Sequence, residues 1–134
     1  MFTGGLGDAR VVAGVPMAGS APEWFPGDAF DAAGKPALLL TAAGDPVRAD
    51  EVYGQIAKLD FGWVEFAGGC HQLFALGGCP DFPASEGFAL VDTYALALGR
   101  QHVLADTGAR TLDIVHGRAA LSPRVTVHRK DLTP

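Results

Sequence analysis

Basic residues are scarce in this chain: ten Lys and Arg stand against fifteen Asp and Glu among 134 residues, a formal net charge of -5. That balance argues against a surface that tracks phosphates, because nucleic-acid affinity rests largely on clustered Lys and Arg. The only basic concentration is Arg124, His128, Arg129 and Lys130 near the C-terminus, which reads as a solvated tail rather than a binding patch. Long apolar runs are missing too. No stretch approaches the roughly 20 residues of a membrane-spanning helix, so no membrane partner is expected. The opening MFTGGLGDAR lacks the basic start and apolar middle of a secretory signal, so the chain by itself carries no export address. No run of like charge and no internal repeat is present, which leaves neither a disordered tail nor a solenoid as an explanation.

What is present reads as one globular unit. Hydrophobic residues make up 49% and charged residues 19%, and a chain of this length buries roughly two thirds of its unfolded surface. Residues 10–15, RVVAGV, form a short apolar run with β-branched members and predict a buried strand, followed by Pro16 and the loop AGSAPEWFPGD. Residues 37–41, ALLLT, are continuously apolar after Lys35-Pro36, as expected for a parallel strand covered on both faces. Residues 50–59 place Val52, Ile56 and Leu59 at helical spacing, with Asp50 and Glu51 at the positive end. Residues 61–67, FGWVEFA, predict a third strand that stops at Gly68-Gly69. Beyond a long loop through Pro80 and Pro83, Ser85 can cap a helix over 86–104 with Phe88, Val91, Ala95 and Leu98 toward the sheet, and Gly99 can bend or end it. The segment PRVTVHR alternates Val125 and Val127 with polar neighbours and suits either an edge strand or an ordered tail.

Strands joined by helices imply a parallel sheet, and reactive side chains in such sheets collect on loops at the carboxyl ends of the strands. Asp45 in PALLLTAAGDPV and His71 in WVEFAGGCHQLF both occupy that position. A buried carboxylate beside an imidazole fixes the ring tautomer and stabilises the imidazolium formed when the ring removes a proton. Each residue also has a plain structural alternative. An Asp before a Pro suits a turn or a helix cap, and a His in a Gly-rich loop can be structural.

Residues 35–92 resemble the C-terminal part of an α/β-hydrolase, near the dienelactone-hydrolase and acetylhydrolase-like branches. KPALLLTAAGDPV is similar to the family's penultimate strand, with the triad acid at Asp45, and FAGGCHQLF to its last strand, with the triad histidine at His71 and an aromatic at Phe74. Asp50, inside the predicted helix start, is the weaker candidate for the acid. The helix rich in Phe88, Leu90 and Tyr94 looks like the family's closing helix, and acid before histidine is the family's chain order. The resemblance implies an α/β fold, the C-terminal half of an α/β-hydrolase with a short, mainly parallel sheet flanked by helices. It divides the chain into a strand and cap-like loop over 1–34, the acid strand, histidine strand and closing helix over 35–104, and a C-terminal extension over 105–134.

The family's nucleophile sits on a strand-to-helix elbow, G-x-S-x-G, and this chain has no such motif. None of Ser20, Ser85 and Ser122 has glycines on both sides or an entering strand; Ser20, in AGSAP after the first strand, comes nearest. RVVAGVPMAG instead resembles the strand that follows the elbow helix, which would put nucleophile and oxyanion donors upstream of Met1. Cys70 and Cys79 could supply a nucleophile, as in the dienelactone branch, but Cys70 is the immediate neighbour of His71 and neither sits on an elbow. A zinc site from Cys70, His71 and Cys79 lacks a fourth ligand and the usual spacing. A Cys70–Cys79 disulfide would close a loop of about ten residues, contribute on the order of 2–3 kcal/mol and hold the loop that carries His71. It would also point to an oxidising compartment for the parent protein.

The expected function is therefore carboxylic-ester hydrolysis, with Asp45 orienting His71 toward a serine that the chain does not supply, so that the chain alone is inactive. A small-molecule ester is the expected substrate and no cofactor or metal is implied. The first strand's unpaired edge makes a homodimer an expected state. The competing class is a non-catalytic binding or interaction module, for which PEWFPGDAF with Trp24, Phe25 and Phe30 offers a contact loop or, more simply, a segment packed over the former substrate cleft.

Overall fold

Three consecutive leucines at the middle of the first strand decide the layering. Strand β1, Ala37–Ala42, buries Leu38 and Leu40 on one face and Leu39 on the other, because successive strand side chains point to opposite sides. A strand apolar on both faces must be covered twice. The computed structural model, which describes residues 8–19, 29–75 and 78–130, does this with helices on either side of the sheet. Helix α1, Ala49–Gln55, covers one face, where Leu39 and Phe61 meet Ala49, Val52, Ile56 and Leu59. Helices α2, Ala84–Val103, and α3, Ala109–Val115, cover the other, where Leu38, Leu40, Val64 and Phe66 meet Leu90, Val91, Tyr94, Leu98, Ile114 and Val115. Each fully buried aliphatic or aromatic side chain of these cores stabilises the fold by roughly 1.5–3 kcal/mol.

The sheet is mixed. Strand β2, Phe61–Phe66, runs parallel to β1 with Ala37 opposite Phe61, and strand β3, Val125–Lys130, runs antiparallel to β2 with Val127 opposite Val64. On β1's other edge an extended segment adds two parallel bridges, Gly14 to Ala37 and Met17 to Leu40. The chain is thus a small α/β domain whose sheet is only partly parallel.

Several sequence expectations shift on contact with this architecture. The segment expected as a buried strand over 10–15 pairs with β1 only from Gly14 onward, and Val12 and Met17 remain well exposed. The expected helix over 50–59 stops at Gln55, because Ile56 turns extended and the next amides, of Ala57 and Lys58, are taken by the Asp31 carboxylate. Ile56 and Leu59 are still buried, but from beyond the helix. Ser85 is not a cap: α2 begins at Ala84 behind Pro83, whose fixed φ suits a helix entry. The buried stripe of α2 is Gly87, Leu90, Val91, Tyr94, Ala97 and Leu98, which turns Phe88 outward. Gly99 does not end the helix. Its stop comes six residues later, where Ala105 adopts the left-handed conformation at φ 53 and Asp106 N–H donates back to the Arg100 carbonyl.

The basic C-terminal residues are not a solvated tail. β3 orders them: the Arg129 side chain is 7% exposed and paired with Asp60, and Lys130 donates to the Tyr53 and Ile56 carbonyls at the end of α1. His128 stacks on Trp63 with ring centroids 4.3 Å apart, and Arg124 donates to the Asp81 carbonyl while lying over Phe82. Each of these side chains is thus engaged with the protein's own carbonyls, carboxylates or rings. Phe30 packs against the α1 core cluster, whereas Ser20, Trp24 and Phe25 lie outside the described residues. No helix among the described residues is long and apolar enough to cross a membrane.

Candidate acid–base site

The two Gly-rich turns that follow β1 and β2 clasp each other. Ala43 N–H donates to the Phe66 carbonyl at 3.0 Å and Gly44 N–H to the Gly69 carbonyl at 3.2 Å. A Cβ on Gly44 would stand 2.9 Å from that Gly69 oxygen, closer than side-chain carbons are found to other atoms. Glycine at 44 therefore permits the approach. Gly68, at φ 78, turns β2's chain into the same contact. The clasp sets the residue after each turn, Asp45 on one side and His71 beyond Cys70 on the other, within reach of each other.

They meet. His71 Nδ1 lies 3.0 Å from Asp45 Oδ2, across 26 residues of sequence. Since an ionised carboxylate only accepts, the ring donates through Nδ1–H, and a neutral ring so held has its lone pair on Nε2. The environments of the pair differ sharply: the Asp45 side chain is 1% exposed and the His71 side chain 61%. Asp45 holds its partner from below, and the ring's other nitrogen is on a solvent-reachable group. Among the described residues Asp45 Oδ1 is buried with no hydrogen-bond partner, an arrangement that costs stability.

Asp45 closes the turn after β1, its amide donating to the Ala42 carbonyl at 3.0 Å, but the helix-cap alternative does not describe it. It is not the cap of α1, because the residue preceding that helix is Arg48, and no side chain caps the helix start. Asp50 is exposed in the first turn of α1 and makes no contact with His71. The structure thus separates the two acid candidates.

The loop bearing His71 is fixed by its own neighbours. His71–Phe74 form a single 3-10 turn, within which Leu73 is fully buried. Leu73 fits because α2 carries glycine opposite: a Cβ on Gly87 would overlap its Cδ1 at 2.2 Å. Phe74 meets Phe66 edge to face at 5.8 Å. Cys70 and Cys79 form a disulfide with Cα atoms 5.7 Å apart, as their spacing suggested. Both thiols are therefore committed, which removes the cysteine-nucleophile reading. Among the described residues no group of three or more His, Cys, Asp or Glu could hold a metal ion.

No hydroxyl reaches His71 among the described residues. Ser122 donates to Glu86 and accepts from the Arg124 amide, and Ser85 is exposed on α2. The residues that build the site but were not singled out from sequence are Gly44, Leu73 and Gly87. The turn glycine was visible as part of a small-residue stretch, but the requirement at Gly87 comes from a side chain fourteen positions away. The chain matches no family model and no curated protein.

Proposed function

We propose that Asp45 and His71 are the acid and the base of an α/β-hydrolase-type triad that acts on carboxylic esters, with the nucleophile supplied from outside the described residues. The single observation that carries this reading is the 3.0 Å contact between His71 Nδ1 and the buried Asp45 carboxylate. Chain order, position at the ends of adjacent parallel strands, and exposure of the imidazole all agree with it.

In the proposed reaction His71 Nε2 takes the proton of a serine hydroxyl as the oxygen attacks the ester carbonyl. Asp45 stabilises the resulting imidazolium without itself taking the proton. His71 then returns the proton to the leaving alkoxide, and the same pair activates water to release the acid. Without a nucleophile and oxyanion donors the pair has nothing to deprotonate, so the described residues alone give no ester turnover above that of free imidazole.

The test is expression of this chain joined to any coding sequence that precedes it in its gene, assayed on an activated short-chain ester. Turnover that falls by about 10⁴-fold in Asp45→Asn, and at least as far in His71→Ala, supports the proposal. A joined product without turnover, or one indifferent to His71→Ala, overturns it.

A second reading, a non-catalytic interaction module, is favoured by one observation. Helix α2 and the residue after it expose Phe88, Leu96, Val103 and Leu104 at 44–70%, apolar area that a partner or a second copy could cover. Sedimentation of the chain over a concentration series separates this reading: a monomer throughout argues against self-association.

A further inference from the structure

The Cys70–Cys79 disulfide lies next to the imidazole it would influence. Cys70 immediately precedes His71 and opens its 3-10 turn, and the Cys70 amide donates to Cys79 Sγ at 3.0 Å. Cys79 is in turn anchored to the core. It forms a backbone bridge with Phe82, which is fully buried, packs on Phe66 at 6.1 Å between ring centroids, and lies under the Arg124 guanidinium. The bridge therefore ties the residue before His71 to a fixed point of the core.

Other ties on that loop act further along. Leu73 and Phe74 hold the far end of the turn, and the Gly44–Gly69 clasp holds the chain before Cys70. The His71 ring, 61% exposed, makes one hydrogen bond among the described residues, to Asp45. Its position depends on the backbone on either side of it, and the disulfide supplies the local restraint. Both cysteines are only half-buried, so a small thiol can reach the bond.

We infer that the Cys70–Cys79 disulfide is a redox-sensitive positioning strap: oxidised, it holds His71 on Asp45, and its reduction by a dithiol releases the imidazole from the carboxylate. The exchange balances. A thiolate of the dithiol attacks one sulfur, forming a mixed disulfide and expelling the other cysteine as thiolate. The second thiol of the reductant then closes its own disulfide and frees the remaining cysteine. One S–S bond breaks and one forms, and the two electrons and two protons lost by the dithiol end on Cys70 and Cys79. Release opens the covalent closure of a loop of about ten residues, and the part not pinned by Leu73 and Phe74 regains conformational entropy that opposes re-docking of the ring. The inference rests on the acid–base reading for its catalytic consequence, but its geometry stands on the hydrogen bond alone.

The experiment is ring-nitrogen NMR of the uniformly labelled full chain at a pH where His71 is neutral, before and after treatment with dithiothreitol. Backbone amides of Val64 and Tyr94 are followed as core markers. The oxidised chain should show His71 protonated at Nδ1. The reduced chain and Cys70→Ser/Cys79→Ser should lose that signature while the core amides stay in place, and Asp45→Asn should change the ring signal in the oxidised state as well. An unchanged His71 tautomer on reduction overturns the strap. So does collapse of the core signals together with the ring, since the bridge would then support the whole fold rather than position one residue. Failure of the hydrolase reading leaves this readout untouched. A joined, active enzyme with equal turnover in both redox states would reject the strap and leave the hydrolase reading standing.

Discussion

Asp45 and Asp106 are both carboxylates at the ends of secondary structure, and they are used in opposite ways. Asp106, between α2 and α3, is saturated. Its Oδ1 accepts the Gly108 amide at 2.8 Å, and its Oδ2 accepts the Thr111 hydroxyl at 2.8 Å and the Arg100 guanidinium at 2.7 and 2.8 Å. The Gly108 amide first, then Thr111 and Arg100, hold its carboxyl down at about 2. Asp45 is more deeply buried yet, among the described residues, has one partner on one oxygen and none on the other. A carboxylate that only shapes a turn collects all the donors it can. Asp45 is left short of donors, and the surrounding fold sustains the cost.

The sharpest way to break this contrast is catalytic. In the joined protein Asp45→Asn should lower ester turnover by about 10⁴-fold, whereas Asp106→Asn should leave turnover unchanged at a temperature where both variants are folded. Equal losses would make Asp45 an ordinary structural residue. Next in size is Leu73→Ala, which empties the seat opposite Gly87 and should cost about 2–5 kcal/mol in urea unfolding. It should also loosen His71 while the Thr111 amide resonance, beside Asp106, stays in place.

Thermal melts give the third separation. Asp106→Asn should lower the melting temperature and Asp45→Asn should hold or raise it, since the latter removes an under-solvated buried charge. Both falling alike would erase the distinction. Acid titration sharpens the same point. Asp106 binds its proton at about 2 in the folded chain and near 3.8 when unfolded, so the unfolded state takes up protons first as pH falls. Its stabilisation is fully present above about pH 4 and is lost as pH drops through about 2. Asp106→Asn should flatten the unfolding free energy across that window. The smallest effect is expected at Ala105, whose left-handed φ of 53 suits glycine: Ala105→Gly should add about 0.5–1 kcal/mol.

The clearest elements in the sequence were those whose signal is local. β1 and β2 stand within a residue of where their apolar runs placed them, because continuous apolarity between breakers has one efficient use in a sheet covered on both sides. The Asp45–His71 contact was legible because both residues follow strands that pair in register, so the turns beyond them must meet. The end of α2, read at 104 and found at Val103, was legible in position but not in device. Its stop uses Ala105 where a glycine would have announced it, while Gly99, the residue that looked like a stop, has open space around it. Helix α3 was invisible for a related reason: its entry is organised by the Asp106 hydrogen bonds to Gly108 and Thr111, which a reading of apolar periodicity does not detect. The basic C-terminal residues were misread because their partners, Asp60, Tyr53 and Ile56, lie about seventy positions earlier.

That same span has a consequence in time. β2 is flanked by β1 on one edge as soon as both are made, but its other edge waits for β3, and Arg129 is 69 residues beyond its partner Asp60. At 5–20 residues per second of synthesis the wait is on the order of 3–14 s. Throughout it, FGWVEF presents an open row of amides and carbonyls, rich in aromatic side chains, to any neighbouring nascent chain. The yield of soluble protein should therefore depend on how quickly ribosomes cover this interval.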